Sequence, residues 1–226
     1  MVYYNYKKKL QDIMKKNSYW IISKITNLIS HLKISLKKYN FEIYENKQNI
    51  YIECKKIDLT EIVKFIKNDD KCLFSQLTDI TAVDYINNEK RFEIIYIFLS
   101  FKYNIRLIIK VSLAENETIL SICDIFKSAN WYERECYDLF GIIFDSHPDL
   151  RRIMTDYNFV GHPLRKDFPL TGHNEVRYDN LQKKVVYEPV KLQQEYRNFD
   201  YASPWEGIST ELNNNEEISE NKDGTE

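Results

Sequence analysis

The chain has 226 residues, a formal net charge of -2 and 43% hydrophobic residues, 14% of the total being aromatic, which is enough to build one or two domains with a packed core. The near-neutral balance excludes a whole-chain attraction to polyanions, and no window reaches the roughly 20 apolar residues that cross a bilayer. Cys54, Cys72, Cys123 and Cys136 lie far apart with no C-x-x-C among them, which argues against a zinc ribbon, a ferredoxin-type cluster or a thioredoxin-like redox pair and leaves reduced, mostly buried thiols.

Charge is placed unevenly. Residues 1–40 carry nine lysines against Asp12 alone, and residues 211–226 carry six acids against Lys222. Residues 1–18 are basic and aromatic without a period, and read as an N-terminal arm. Ile21, Ile25, Leu28, Ile29, Leu32 and Leu36 then fall on one stripe, predicting a helix over 19–38. Residues 41–54 alternate about a polar turn and predict a β-hairpin, Phe41–Tyr44 with Ile50–Cys54. Asp58 stands three residues before Glu61, the spacing of a capped helix start, and Ile62, Val63 and Ile66 continue an apolar face.

Leu73–Tyr85 reads as a strand or strand pair, and Arg91–Phe101 and Asn104–Ser112 are two more runs rich in Ile, Phe and Tyr. Ser121 is placed to cap a helix through Lys127, and a further helix begins near Asn130 and ends at Gly141. This order predicts an α+β fold: helices packed on one face of a mostly antiparallel sheet, followed by an extended C-terminal arm. The other face of so apolar a sheet must be covered or meet a partner. The expected division is a basic arm over 1–18, a globular domain over 19–155, a partner-wrapping arm over 156–206 and an acidic tail over 207–226.

The first 140 residues contain no glycine and no proline; all five of each come later. Chemistry-bearing residues concentrate at the same point. On a helix, Glu133, Arg134, Glu135 and Asp138 cover about a turn and a half. Two proline-locked, ion-rich turns follow, one with His147, Asp149, Arg151 and Arg152, the other with Arg165, Lys166 and Asp167. These eleven residues are candidates for a buried ionic knot, since the planar arginine fork binds carboxylates bidentately. Phe159, Leu164, Phe168, Tyr178, Tyr187, Phe199 and Trp205 are the candidate apolar anchors of the arm. His147, His162 and His173 tempt a metal or acid–base reading, but each sits in turn-forming backbone beside Pro or Gly, where convergence on one ion would be accidental. A nucleic-acid role for the lysine-rich start is opposed by the acidic end.

The run WYERECYDLFGIIFDSHPDLRRI, followed by FVGHPLRKDFPLTG and continuing through EVRYD, VVYEP, QEYRNF and SPWE, closely resembles the thirty-kilodalton subunit of respiratory complex I, the proton-pumping NADH:ubiquinone oxidoreductase. The resemblance covers about 75 consecutive residues in several independent motifs. It implies a non-catalytic core subunit of the peripheral, quinone-module arm, packed chiefly on the forty-nine-kilodalton quinone-site subunit in a hetero-oligomer. No cofactor is expected on this chain; FMN, iron–sulfur clusters, NADH and ubiquinone belong to other subunits of such a complex. No G-x-G-x-x-G or H-E-x-x-H stands in the sequence. Equivalent subunits of the plastid dehydrogenase and of membrane hydrogenases are the alternative. A residue usage typical of AT-rich coding points to a gene in the mitochondrial genome, and so to the matrix side of the inner membrane.

Overall fold

The computed structural model describes residues 23–47 and 49–191. The basic arm over 1–18, the acidic tail over 207–226, and the anchors Phe199 and Trp205 lie outside them. Two compact units divide between Gly172 and His173.

The first unit is the α+β fold expected. Among the described residues helix α1 covers 23–35 and turns the stripe Ile25, Leu28 and Leu32 inward. Strands β1 (Phe41–Asn46) and β2 (Asn49–Cys54) form the predicted hairpin. Helix α2 (Leu59–Asn68) buries Leu59, Ile62, Val63 and Ile66. Asp58 stands at its start, yet its side chain makes no cap bond; its carbonyl accepts from Ile62 N instead, and Glu61 pairs with Lys64 one turn along.

Strands β3 (Gln76–Asp84), β4 (Phe92–Ser100) and β5 (Ile105–Leu113) form an antiparallel meander. β5 then lies parallel to β2, giving the order β1-β2-β5-β4-β3. The short strands β6 (Ile119–Leu120) and β7 (Phe144–Asp145) pair on either side of α3 (Ala129–Phe140). The helix expected from Ser121 to Lys127 does not form. Ile122 N is drawn to the buried Glu133 carboxylate, Ser121 Oγ accepts from Cys123 N, and only a turn remains, closed by Phe126 N on Ile122 O.

Strict alternation along β4 explains the layering. Phe92, Ile94, Tyr96 and Phe98 are buried with Leu107, Ile109 and Val111 of β5 and Ile50 and Ile52 of β2, against the inner residues of all three helices. On the opposite face Ile95, Ile97, Leu99 and Ile108 are half-buried. That face remains open to water because its apolar centre is bordered by a Tyr44–Tyr51 stack and by Lys110, which lies between Glu53 and Glu93.

The second unit contains the hairpin of β8 (Asn174–Asp179) and β9 (Lys184–Pro189). Register places Val176 opposite Tyr187 and Tyr178 opposite Val185 on one exposed apolar face, while Arg177 pairs with Glu188 on the other. Two-stranded ribbons of this kind are marginal alone.

The two faces of the large sheet should respond differently to truncation. Phe98→Ala is expected to cost about 3–5 kcal/mol in urea unfolding, and Ile97→Ala, one residue away on the open face, about 1–2 kcal/mol. Equal losses would mean that the outer face is as covered as the inner one.

Candidate functional site

The C-terminal end of α3 organises the region. A helix leaves its last four carbonyls without internal partners, and here each finds one. Tyr137 O accepts from Gly141 N at 2.8 Å. Asp138 O accepts from His162 Nδ1 at 2.8 Å, Leu139 O from Leu164 N at 3.0 Å, and Phe140 O from Arg165 Nε at 2.6 Å. Residues 162–165 therefore cap the helix, and the Arg165 guanidinium complements the negative end of its dipole. Gly141, at φ 78°, has no room for a side chain: a Cβ there would meet Arg165 Nη2 at 2.6 Å and His162 at 2.7 Å.

Asp138 faces the other way and is fully buried. Its Oδ2 accepts from the amides of Ile153, Met154 and Thr155 at 3.0, 2.7 and 2.9 Å; its Oδ1 accepts from Arg152 Nη1 at 3.0 Å and from the Thr155 hydroxyl at 2.6 Å. Burial alone would raise its pKa, but the Thr155, Met154 and Ile153 hydrogen bonds outweigh that and hold it at about 2. Arg152 also donates to Gly161 O at 3.0 Å. Arg134 runs alongside, donating to the carbonyls of Arg151 and Arg152. Residues 149–168 thus form a strap tied down along α3.

A second cluster ties the far end of the strap to the sheet. Arg91 spans Asp84 with two bonds, 2.8 and 3.0 Å, and reaches Glu115 at 3.0 Å and Asp167 at 2.8 Å. Arg165 Nη1 joins at Glu115, 3.0 Å, and Lys166 N donates to Asp84 at 2.8 Å. The Arg91 bonds hold the carboxyls of Asp84 and Asp167 below their usual range.

Glu133 belongs to neither cluster. It is buried under the α3 N-terminus, accepting from Ser121 Oγ at 2.6 Å, Ile122 N at 2.8 Å and the Cys123 thiol at 3.3 Å. Burial pushes its pKa up, and these bonds with nearby His147 offset only part of that. His147, Glu133 and Cys123 have the spacing of a metal set. However, His147 Nδ1 accepts from Asp149 N and Nε2 lies 3.0 Å from Asn130 O, so Nε2 carries the proton and would have to shed it to bind an ion. Burial also raises the Cys54 thiol to about 12 and the Cys123 thiol to about 11, leaving both protonated and poorly nucleophilic.

The family model described as "Respiratory-chain NADH dehydrogenase, 30 Kd subunit" matches residues 52–174, a span that takes in α3, both ionic clusters and the strap. The chain belongs to this family. An NADH-quinone oxidoreductase subunit of Xanthobacter autotrophicus is 54% identical over 166 residues, 72% of this chain and 79% of its own. Its counterpart in Ruegeria pomeroyi is 58% identical over 150 residues, 66% of this chain and 75% of its own. Among solved structures, a chain of the membrane-bound sulfane sulfur reductase, an archaeal respiratory membrane complex, superimposes with a TM-score of 0.56 at 19% identity, covering 65% of this chain and 86% of that one. That likeness concerns fold alone.

In this 30 kDa family member the eleven candidate ionic residues do not gather into one knot. Asp138 and Arg152 make one cluster with Arg134 beside it. Arg165 and Asp167 enter the other, to which Lys166 contributes only its amide. Asp149 pairs with Arg151 at the surface, 2.7 Å apart. Glu135 makes no ion pair among the described residues. Of the arm anchors, Phe159 and Phe168 turn toward each other, ring centroids 5.7 Å apart. Leu164 is exposed, and Tyr178 and Tyr187 lie on the exposed hairpin face. Sequence reasoning missed Asp84, Arg91, Glu115 and Thr155. A signal for Arg91 existed: it and Arg106 are the only arginines among the first 130 residues, which otherwise use lysine.

The Asp138 clasp fixes a pH dependence. Its folded pKa is depressed, so its stabilisation is present above the unfolded value of 3.8 and is lost as pH falls toward about 2. At about 1.4 kcal/mol per pH unit this is about 2 kcal/mol. Urea unfolding should show Asp138→Asn less stable than wild type by at least this much at pH 7, the gap narrowing below pH 4. A gap that stays constant down to pH 2 would contradict the assignment.

Proposed function

We propose that the chain is a non-catalytic core subunit of the peripheral, quinone-module arm of proton-pumping NADH:ubiquinone oxidoreductase, supporting electron transfer by holding the quinone-site subunit in place. The relatives' names support membership of such a complex, and with it a hetero-oligomeric state. One observation carries the scaffold reading. The strap is tied down by a dense set of hydrogen bonds, yet it turns large apolar side chains outward: Met154 is 64% exposed, Tyr157 93% and Val160 77%. An ordered segment that holds apolar groups in water is pre-organised for a protein partner, because its ordering cost is met before binding.

The chemistry on this chain fits that role. The Asp138, Asp84 and Glu133 carboxylates are each committed to fixed donors, and the thiols are protonated. The same reading assigns FMN, the iron–sulfur clusters and the NADH and ubiquinone sites to other subunits. Among the described residues no helix is long and apolar enough to cross a membrane, which suits a peripheral subunit. The relatives named above are bacterial; the matrix side of the mitochondrial inner membrane is inferred from residue usage alone.

Native isolation of the complex from membranes tests the reading. The chain is expected to co-migrate with NADH:quinone reductase activity. Tyr157→Asp should lower its amount in the complex several-fold while leaving the melting temperature of the isolated chain unchanged. Recovery of the wild-type chain only as a free protein would overturn the proposal.

A further inference from the structure

At the opposite end of α3 from the strap's cap lies a cleft of about 390 Å³, lined by Cys123, Asp124, Lys127, Asn130, Trp131 and Pro148 among others. Trp131 on its wall is 67% exposed. The Arg134 guanidinium stands over the Trp131 ring, 5.9 Å from its centroid. Neither Lys127, which lines the cleft with Trp131, nor Arg134 has an acidic partner among the described residues. Lys127 is exposed at the rim, and Arg134 spends its donors on the main-chain carbonyls of Arg151 and Arg152, which leaves its charge uncompensated. The N-terminus of the 12-residue α3 adds to this field: no acidic residue occupies its first turn, and Ser128 makes no side-chain cap bond. Against these stand Asp124 on the cleft wall and Glu135, one turn along α3 from Trp131.

We propose that this Lys127–Trp131–Arg134 face is a docking site for an acidic segment of a neighbouring subunit, one that brings carboxylates to Lys127 and Arg134 and an apolar side chain to the indole. Trp and Arg together are the residues on which binding energy concentrates at protein interfaces, and an uncompensated positive rim selects an acidic partner over a basic one. The chain's own end, residues 207–226, is acidic but contains no aromatic residue, and Ile208, Leu212 and Ile218 are its only large apolar side chains. It would neutralise the charges and leave the indole poorly covered. The inference rests on membership of a complex of several subunits and names a second surface, apart from the outward side chains of the strap.

The test is zero-length carbodiimide coupling of the membrane-isolated complex, read by mass spectrometry, together with amine labelling of Lys127 in the complex and in the free chain. Lys127 should couple to an Asp or Glu of another subunit, and its labelling should fall at least several-fold in the complex. Trp131→Ala and Lys127→Glu should each make retention of the chain in the complex more sensitive to salt or detergent. Both residues are exposed, so the isolated variants should keep the wild-type melting temperature. Coupling of Lys127 to residues 211–226 of this same chain, or equal labelling in both states, overturns the docking site while the functional reading stands. Failure of the wild-type chain to co-isolate with any complex overturns both.

Discussion

A helix whose last carbonyls are satisfied by a segment more than twenty residues downstream is the constraint on which the rest of this region depends. The α3 end gives its four carbonyls to Gly141 N, His162, Leu164 N and Arg165, and the carboxylate of Asp138 takes three amides from the intervening chain. Backbone in a strap has no ladder of its own, so its polar groups must be paired individually or left to water. One buried carboxylate with five donors does this economically. It is also unforgiving, because removing it would strand several donors and the Arg152 charge at once.

The second cluster addresses a different problem. Asp84 ends β3 and Arg91 precedes β4, so the Asp84–Arg91 fork closes the mouth of the hairpin between them. The same guanidinium then holds Asp167, and the same carboxylate holds Lys166 N. The strap is thereby referenced both to α3 and to the sheet edge. Placing Met154, Tyr157 and Val160 outward requires such a frame, since apolar side chains on an unconstrained segment would collapse inward, as Phe159 and Phe168 do onto each other and against Gly161.

Periodicity made the layers of the fold legible. Strands β3 to β5, the stripe of α1 and the left-handed stop at Gly141 all follow from alternation, helical spacing and the one residue that tolerates positive φ. The partition of the ions was not legible, for a physical reason. Glu133, Arg134, Glu135 and Asp138 are neighbours in sequence, but on a helix they point to different sides: Glu133 and Asp138 inward to separate sets of donors, Arg134 along the surface to carbonyls. Asp84 and Arg91 lie outside the conspicuous stretch altogether, and it is their bonds to Lys166 N and Asp167 that join them to it. The same limit applies to the aromatic residues, because Phe159 and Tyr157 look equivalent in sequence, yet one packs inward and the other is almost wholly in water.

Titratable groups that must exchange protons or bind ions need spare coordination, and the groups gathered here have little. Asp138 is held ionised far below neutral pH by fixed donors. Glu133 is raised by burial but remains tied to a hydroxyl, an amide and a thiol. His147 has both nitrogens engaged, and the lowered pKa of His162, set by burial with Arg165 and Arg152 nearby, favours the neutral ring that donates to Asp138 O. Among the described residues, Lys127 and Arg134 are cations without an acidic partner, and they lie near an exposed indole. Density of charge in the sequence therefore divides into two physical kinds: an interior part saturated by its own chain, which fixes geometry, and a peripheral part left open, which is where another molecule has something to bind.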